Sequence, residues 1–222
     1  MRSLFSPGLW VVAAAALLSA ASQRASAGPV YTFDNLPQGV SPFSDTLDGI
    51  TANFGSPAGP NGVMVAPGFF RAPFSGNALF NMGVTPNTSV PVTASFSHAL
   101  HMVTLDFATL NLSTSDPITL TAYSGGLNGT LVGSVTATGV PQGLRHNPSN
   151  IMSIEMLSAP QGILTFSSSQ TFDTIELTGG NGVSFAVDNI NVTFPEPGGL
   201  TLAAVTLFGL GVRAWRRRAA KA

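Results

Sequence analysis

Apolar and polar residues alternate in short runs along most of the chain, and turn-forming residues separate the runs. The clearest are VTASFS (residues 92–97), HMVTLDFATL (101–110), ITLTAYS (118–124), GTLVGSVTATG (129–139), GILTFSS (162–168), FDTIELTG (172–179) and VSFAVDNINVTF (183–194). A period of two with one apolar side predicts half-buried strands. Upstream, VYTFDN (30–35) and GITANF (49–54) read the same way, whereas residues 55–91 are dense in Gly, Pro and Asn and read as loop. About nine short strands at this spacing predict an all-β fold, an antiparallel two-sheet β-sandwich of the jelly-roll type.

One run breaks its own rhythm. Val183, Phe185 and Val187 are apolar at odd positions, whereas Ile190, Val192 and Phe194 are apolar at even ones. A strand that keeps one face inward keeps one parity, so a β-bulge or strand break is expected across Asp188-Asn189. Two other segments echo each other without a gap, FSHALHMVTLDF (96–107) and FSSSQTFDTIEL (166–177). They predict two related strand-turn-strand corners, with Leu105 and Phe107 inward and Asp106 outward.

The ends have a different pattern. Met1-Arg2, the apolar stretch Leu9 to Ala20 and the small-x-small triplet Ala25-Ser26-Ala27 form an export signal, cleaved after Ala27 to expose Gly28. At the other end, the apolar segment from Gly198 to Trp215 would span roughly 27 Å as a helix. That only just approaches a hydrocarbon core of about 30 Å. Arg213, near the end of that segment, and Arg216, Arg217 and Arg218 beyond it form a cytoplasmic stop, by the excess of basic residues on that side of the inner membrane. Three segments result: a signal peptide (1–27), a β-domain (28–194) and a sorting tail (195–222).

Charge sharpens this division. Between Gly28 and Phe194 stand two basic residues, Arg71 and Arg145, against nine acidic ones, for a net charge of −7. The near-neutral value of the whole chain conceals that figure. Such a surface repels phosphate backbones, which excludes nucleic acid as a partner, and it attracts cations. The chain has no cysteine, so neither disulfides nor a thiol nucleophile operate in it.

The tail carries a family resemblance. Pro195-Glu196-Pro197, the glycine pair, the short apolar segment and the terminal arginines resemble a PEP-CTERM sorting signal. The resemblance implies processing by signal peptidase and by a membrane peptidase of the exosortase type. It also implies export by a bacterium with a Gram-negative envelope that makes extracellular polysaccharide. The strand order of the body is similar to galactose-binding-like jelly-roll modules. That second resemblance implies a structural calcium as cofactor, held by an acidic residue of the last strand with oxygen ligands from the first. Asp188 and Asp34 match those positions. Hydrogen bonding of Asp188 and Asn189 to backbone groups freed by the bulge is the alternative use of the same residues.

Other chemistry is sparse. His98 and His101 are three apart, which on a strand sends them to opposite faces, and neither has a third ligand close in sequence. Asp106, Glu155 and Glu176 could supply the paired carboxylates of a glycoside hydrolase, but nothing singles them out. Both tryptophans, Trp10 and Trp215, lie in the terminal segments, leaving Phe69, Phe70, Phe74 and Phe80 as either an exposed aromatic patch or an anchor of the long loop. The anchor is the favoured reading. The function expected is that of a non-enzymatic exported protein, anchored transiently and then placed at the cell surface or in the extracellular matrix. Its role is structural or adhesive. A carbohydrate-binding module for extracellular polysaccharide and an unrecognised hydrolase are the alternatives.

Overall fold

The computed structural model of the protein describes residues 26–40, 42–60, 62–68, 70, 72–81, 90–110, 116–142 and 159–195. Eleven strands account for most of them: β1 (Ser26–Tyr31), β2 (Gly39–Val40), β3 (Phe43–Leu47), β4 (Ile50–Gly55), β5 (Met64–Pro67), β6 (Asn77–Phe80), β7 (Val92–Thr109), β8 (Pro117–Ser124), β9 (Thr130–Thr138), β10 (Gln161–Gly179) and β11 (Phe185–Phe194). The one helical element among the described residues is a 3-10 turn, Gly180–Gly182. The all-β expectation holds. The strands form one hydrogen-bonded network ordered β2-β5-β6-β11-β7-β10-β8-β9, with β1 on β11, and with β4 on β7 carrying β3.

β7 and β10 organise this network. They run antiparallel from Val92↔Leu177 to Ala108↔Gln161. The first part of β7 is flanked by β4, and its last part by β11. The second part of β10 is flanked by β8. The expected corners in the two echoed segments are therefore continuous strands. Hydrogen bonding carries each chain through the place where its hydrophobic phase changes. In β7 the buried side chains move from Val92, Ala94 and Phe96 to Val103, Leu105 and Phe107. In β10 the register against β7 shifts on either side of Phe172. The two echoed segments lie against each other, so each irregularity is matched by the other.

Two strands occur where the sequence reads as loop. β5 and β6 pair with each other, and β6 pairs with β11 through Phe80↔Ala186 and Leu79↔Val187. They are only four residues each, too short for a period to stand out between glycines and prolines. β1 ends at Tyr31, earlier than expected, because Phe33 takes a left-handed backbone (φ 60°) that no strand continues.

The main core gathers Tyr31, Phe54, Leu105, Phe107, Leu120 and Phe185, among others, from strands throughout the network. Tyr31 donates its hydroxyl to the Ile50 carbonyl oxygen at 3.0 Å, which satisfies the one polar atom that its burial would strand. A smaller cluster, Phe70, Phe74, Ala78, Phe80, Ala108, Ala159 and Ala186, covers the opposite side of β6, β11 and the end of β7. Phe70 stacks on Phe80 and tilts against Phe74, with ring centroids 5.9 and 4.7 Å apart. The phenylalanines of the long loop are thus its anchor, as favoured; Phe69 lies outside the described residues.

Ala27–Phe194 forms one unit by itself. Among the described residues no helix is long and apolar enough to cross a membrane. The expected signal segment with Ala25, the apolar segment Gly198–Trp215, Glu196, Pro197, Arg213, Arg216, Arg217 and Arg218 all lie outside the described residues.

Candidate functional site, a buried acidic corner

The break in the last strand is where the sequence places it. β11 pairs with β7 in register from Phe185↔Thr109 to Asp188↔Asp106, and resumes at Asn191↔Thr104 after a shift. Asn189 takes up the extra residue in a left-handed conformation (φ 50°), which asparagine tolerates better than most residues. The result is two carboxylates set directly opposite each other on adjacent strands.

Both are buried, Asp188 wholly and Asp106 with 8 % of its surface exposed. Asp106 does point away from the main core, as its parity requires, and the Asn189 side chain links it to the Pro73 carbonyl oxygen. The alternation of β7 alone gives no hint of its burial. Asp188 Oδ1 accepts the Asn189 backbone N–H at 2.8 Å and Oδ2 accepts the Ser75 N–H at 3.3 Å. The Asn189 side chain donates to Asp106 Oδ2 at 2.8 Å and to the Pro73 carbonyl oxygen at 3.1 Å. From just beyond β1, exposed Asp34 accepts the Asn77 N–H at 2.8 Å. Gly76, at φ 65°, brings its Cα so close to the Asp34 carboxylate that a side chain there would collide with it.

The electrostatics follow from this crowding. Burial, reinforced by the charges of Asp34 and Asp106, pushes Asp188 up to about 7 despite the two N–H groups that stabilise its anion. Burial raises Asp106 as well, with Asn189 opposing. No lysine or arginine stands among the described residues to offset them.

The structure thus brings Asp34 and Asp188 together and adds Asp106 as a third acid. The donor chemistry suits a hard cation, which takes carboxylate and carbonyl oxygens. Among the described residues no group of three or more Asp, Glu, His or Cys side chains is arranged to hold a metal by itself. A cation here would therefore draw on Asp34, Asp188 and loop carbonyls rather than on a carboxylate cage. The hydrogen-bonding alternative for Asp188 and Asn189 is realised directly. Ser75, Gly76 and Asn77 are further members not singled out from the sequence; the turn-forming run Ser-Gly-Asn, two residues after Pro73, is the signal for them.

The remaining candidates lie elsewhere. His101 Nδ1 pairs with the Ser168 carbonyl oxygen at 3.0 Å, and His98 stands beside the Ser97 hydroxyl and the Phe194 ring. The two histidines serve separate local contacts. Glu176 lies on another side of the network, bonded to the Tyr123 hydroxyl, and Glu155 lies outside the described residues.

No known family model matches the chain, and no curated protein matches it in sequence. Among solved structures, the K3 cleaved adhesin domain of Lys-gingipain from Porphyromonas gingivalis W83 is similar over 76 % of this chain and 99 % of its own, at 10 % identity and a TM-score of 0.44. The TmCBM61 structure in complex with β-1,4-galactotriose is similar over 76 % of this chain and 100 % of its own, at 13 % identity and a TM-score of 0.38. The catalytic domain of a GH87 α-1,3-glucanase in complex with tetrasaccharides is similar over 79 % of this chain but only 30 % of its own, at 12 % identity and a TM-score of 0.41. Likenesses this loose assign neither ligand nor activity to the chain.

Proposed function

We propose that this chain is an exported bacterial surface or extracellular-matrix protein whose β-domain is a structural or adhesive passenger. In this reading signal peptidase removes residues 1–27. An exosortase-type peptidase then recognises Pro195-Glu196-Pro197 while the C-terminal segment holds the chain in the inner membrane. The observation that supports it best is a boundary. The last strand ends at Phe194, one residue before Pro195, and a body of charge −7 gives way there to an arginine-rich tail. A cut at that boundary spares every strand. Replacing Pro195-Glu196-Pro197 by three alanines tests the reading by cell fractionation. The variant is expected to stay in the membrane fraction with its tail uncut; normal release would overturn sorting through this motif.

Two finer statements belong to the same proposal. The network folds over along β7 and β10 into two layers, since residues from both halves of β7 meet in one core cluster. Asp34 and Asp188 take a calcium ion that neutralises the acidic corner and ties the loop at 72–77 to β1 and β11. Binding, not catalysis, is the work of the domain. The second reading, a module for the cell's own polysaccharide, is favoured by one observation: a broad outward side lined by hydroxyl groups.

A further inference from the structure

We propose that the outward side of β8, β9 and the second half of β10 is a binding platform for a neutral polysaccharide, with Tyr123 and Glu176 at its centre. The proposal rests on the polysaccharide reading above and gives it a location.

Strand register builds this side row by row. Residues paired across antiparallel strands face the same way. Tyr123 stands in a row with Thr174 and, on β7, Ser95. The next row runs Ser134, Thr121, Glu176 and Thr93, and the one after it Thr136, Thr119 and Thr178. The inward residues of these strands, such as Leu120, Ala122 and Leu177, belong to the core. Thr119 Oγ1 and Thr136 Oγ1, both outward, are 2.9 Å apart. Thr174 is buried within its row, and its hydroxyl donates to Asp173 Oδ1 at 2.8 Å. The Thr119–Thr136 pair can turn a donor or an acceptor toward a ligand at small cost, because a hydroxyl rotates to suit.

Two features set the centre apart from an ordinary solvated sheet. Tyr123 is part-exposed, and its register partner on β9 is Leu131, which exposes 60 % of its surface. Ring and aliphatic side chain together make an apolar strip on a polar field. The Tyr123 hydroxyl donates to Glu176 Oε2 at 3.3 Å, and burial followed by the Glu176 charge pushes that phenol above its usual range. Glu176 is the one carboxylate in these rows, and it retains lone pairs for further donors.

Charge selects the partner. An anionic polymer meets Glu176, the nearby Asp173 and the net −7 of the body, and is repelled. A neutral chain of pyranoses escapes that repulsion. Its C–H face lies on Tyr123 and Leu131, vicinal hydroxyls donate to Glu176, and the threonine rows exchange hydrogen bonds with the rest.

The test is native electrophoresis of the full chain in mild detergent, through gels carrying hydroxyethylcellulose, galactomannan, dextran or alginate. Retardation by at least one neutral polymer and none by alginate is expected. Tyr123→Ala and Glu176→Gln should each weaken the affinity about tenfold or more, with melting temperatures close to that of the parent. Equal retardation of both variants would overturn this platform while leaving polysaccharide binding in place. Retardation of the parent by no neutral polymer would overturn both.

Discussion

Asp106 and Asp188 face each other in register across β7 and β11, and Asn189 reaches over from the bulge to bond Asp106. Two like charges directly opposite on a sheet are unfavourable, so the bridging amide holds the corner together. Asn189→Ala removes bonds to Asp106 and Pro73 and leaves a side chain that dislikes φ 50°. A loss of about 1–3 kcal/mol is expected. Asn189→Gly loses the same bonds but keeps the backbone at ease, and should lose less. Urea denaturation of both variants measures the difference; equal losses would show that the conformation is not a strain on alanine.

Stability should also fall on both sides of a mildly acidic optimum. Asp188, raised to about 7, and Asp106, raised by burial, bind protons more tightly folded than unfolded. Their contribution is full below the ordinary carboxylate range and is lost as the pH climbs toward 7. Asp173 shifts the other way. Although burial opposes it, the Gly125 and Gly126 N–H groups and the Thr174 hydroxyl together lower it. Its contribution is present at neutral pH and is lost on acidification. In a chelator, Asp188→Asn should flatten the neutral arm of a plot of melting temperature against pH, and Asp173→Asn the acidic arm. A parent protein that grows steadily more stable from pH 5 to 8 would contradict the first assignment.

Calcium should reverse the neutral arm. A cation between Asp34 and Asp188 favours the charged carboxylates, and at a hundredfold excess over Kd it would add about 2.7 kcal/mol. For a domain of this size that is a rise of several degrees in Tm. Titration into chelator-treated protein should show heat and a higher Tm, and Asp34→Asn and Asp188→Asn should abolish both. No heat and no change in Tm in the parent would leave the corner to its hydrogen bonds alone.

Gly76 offers a check that needs no ligand. Its φ of 65° and the Asp34 carboxylate packed against its Cα leave no room for a side chain. Gly76→Ala should cost about 1–3 kcal/mol and loosen the loop. Gly126→Ala has a comparable backbone (φ 84°) with open space around it, and should cost less. Limited proteolysis at residues 68–77 separates the two; equal susceptibility would contradict the close packing at Asp34.

How much of this was legible depends on whether a residue's partners are its neighbours in a strand. The parity slip at Asp188-Asn189 is a property of one strand, and the bulge sits there. Asp34 and Asp188 were paired through a resemblance, and they do lie in one corner. Asp106 could be assigned an outward side but not its burial, because its hydrogen-bond partner, the Asn189 amide, comes from another strand. The corners expected at residues 96–107 and 166–177 became continuous strands for a similar reason. Each irregular segment is hydrogen-bonded to the other, and no local pattern reports such a partner.

The central claim concerns the fate of the chain, and the intact mass of the protein released into the medium by its own host tests it most directly. The account predicts a species that begins at Gly28 and has lost the segment bearing Arg213, Arg216, Arg217 and Arg218. A released protein that still carries Lys221, or a chain found only uncut in the membrane, would contradict it.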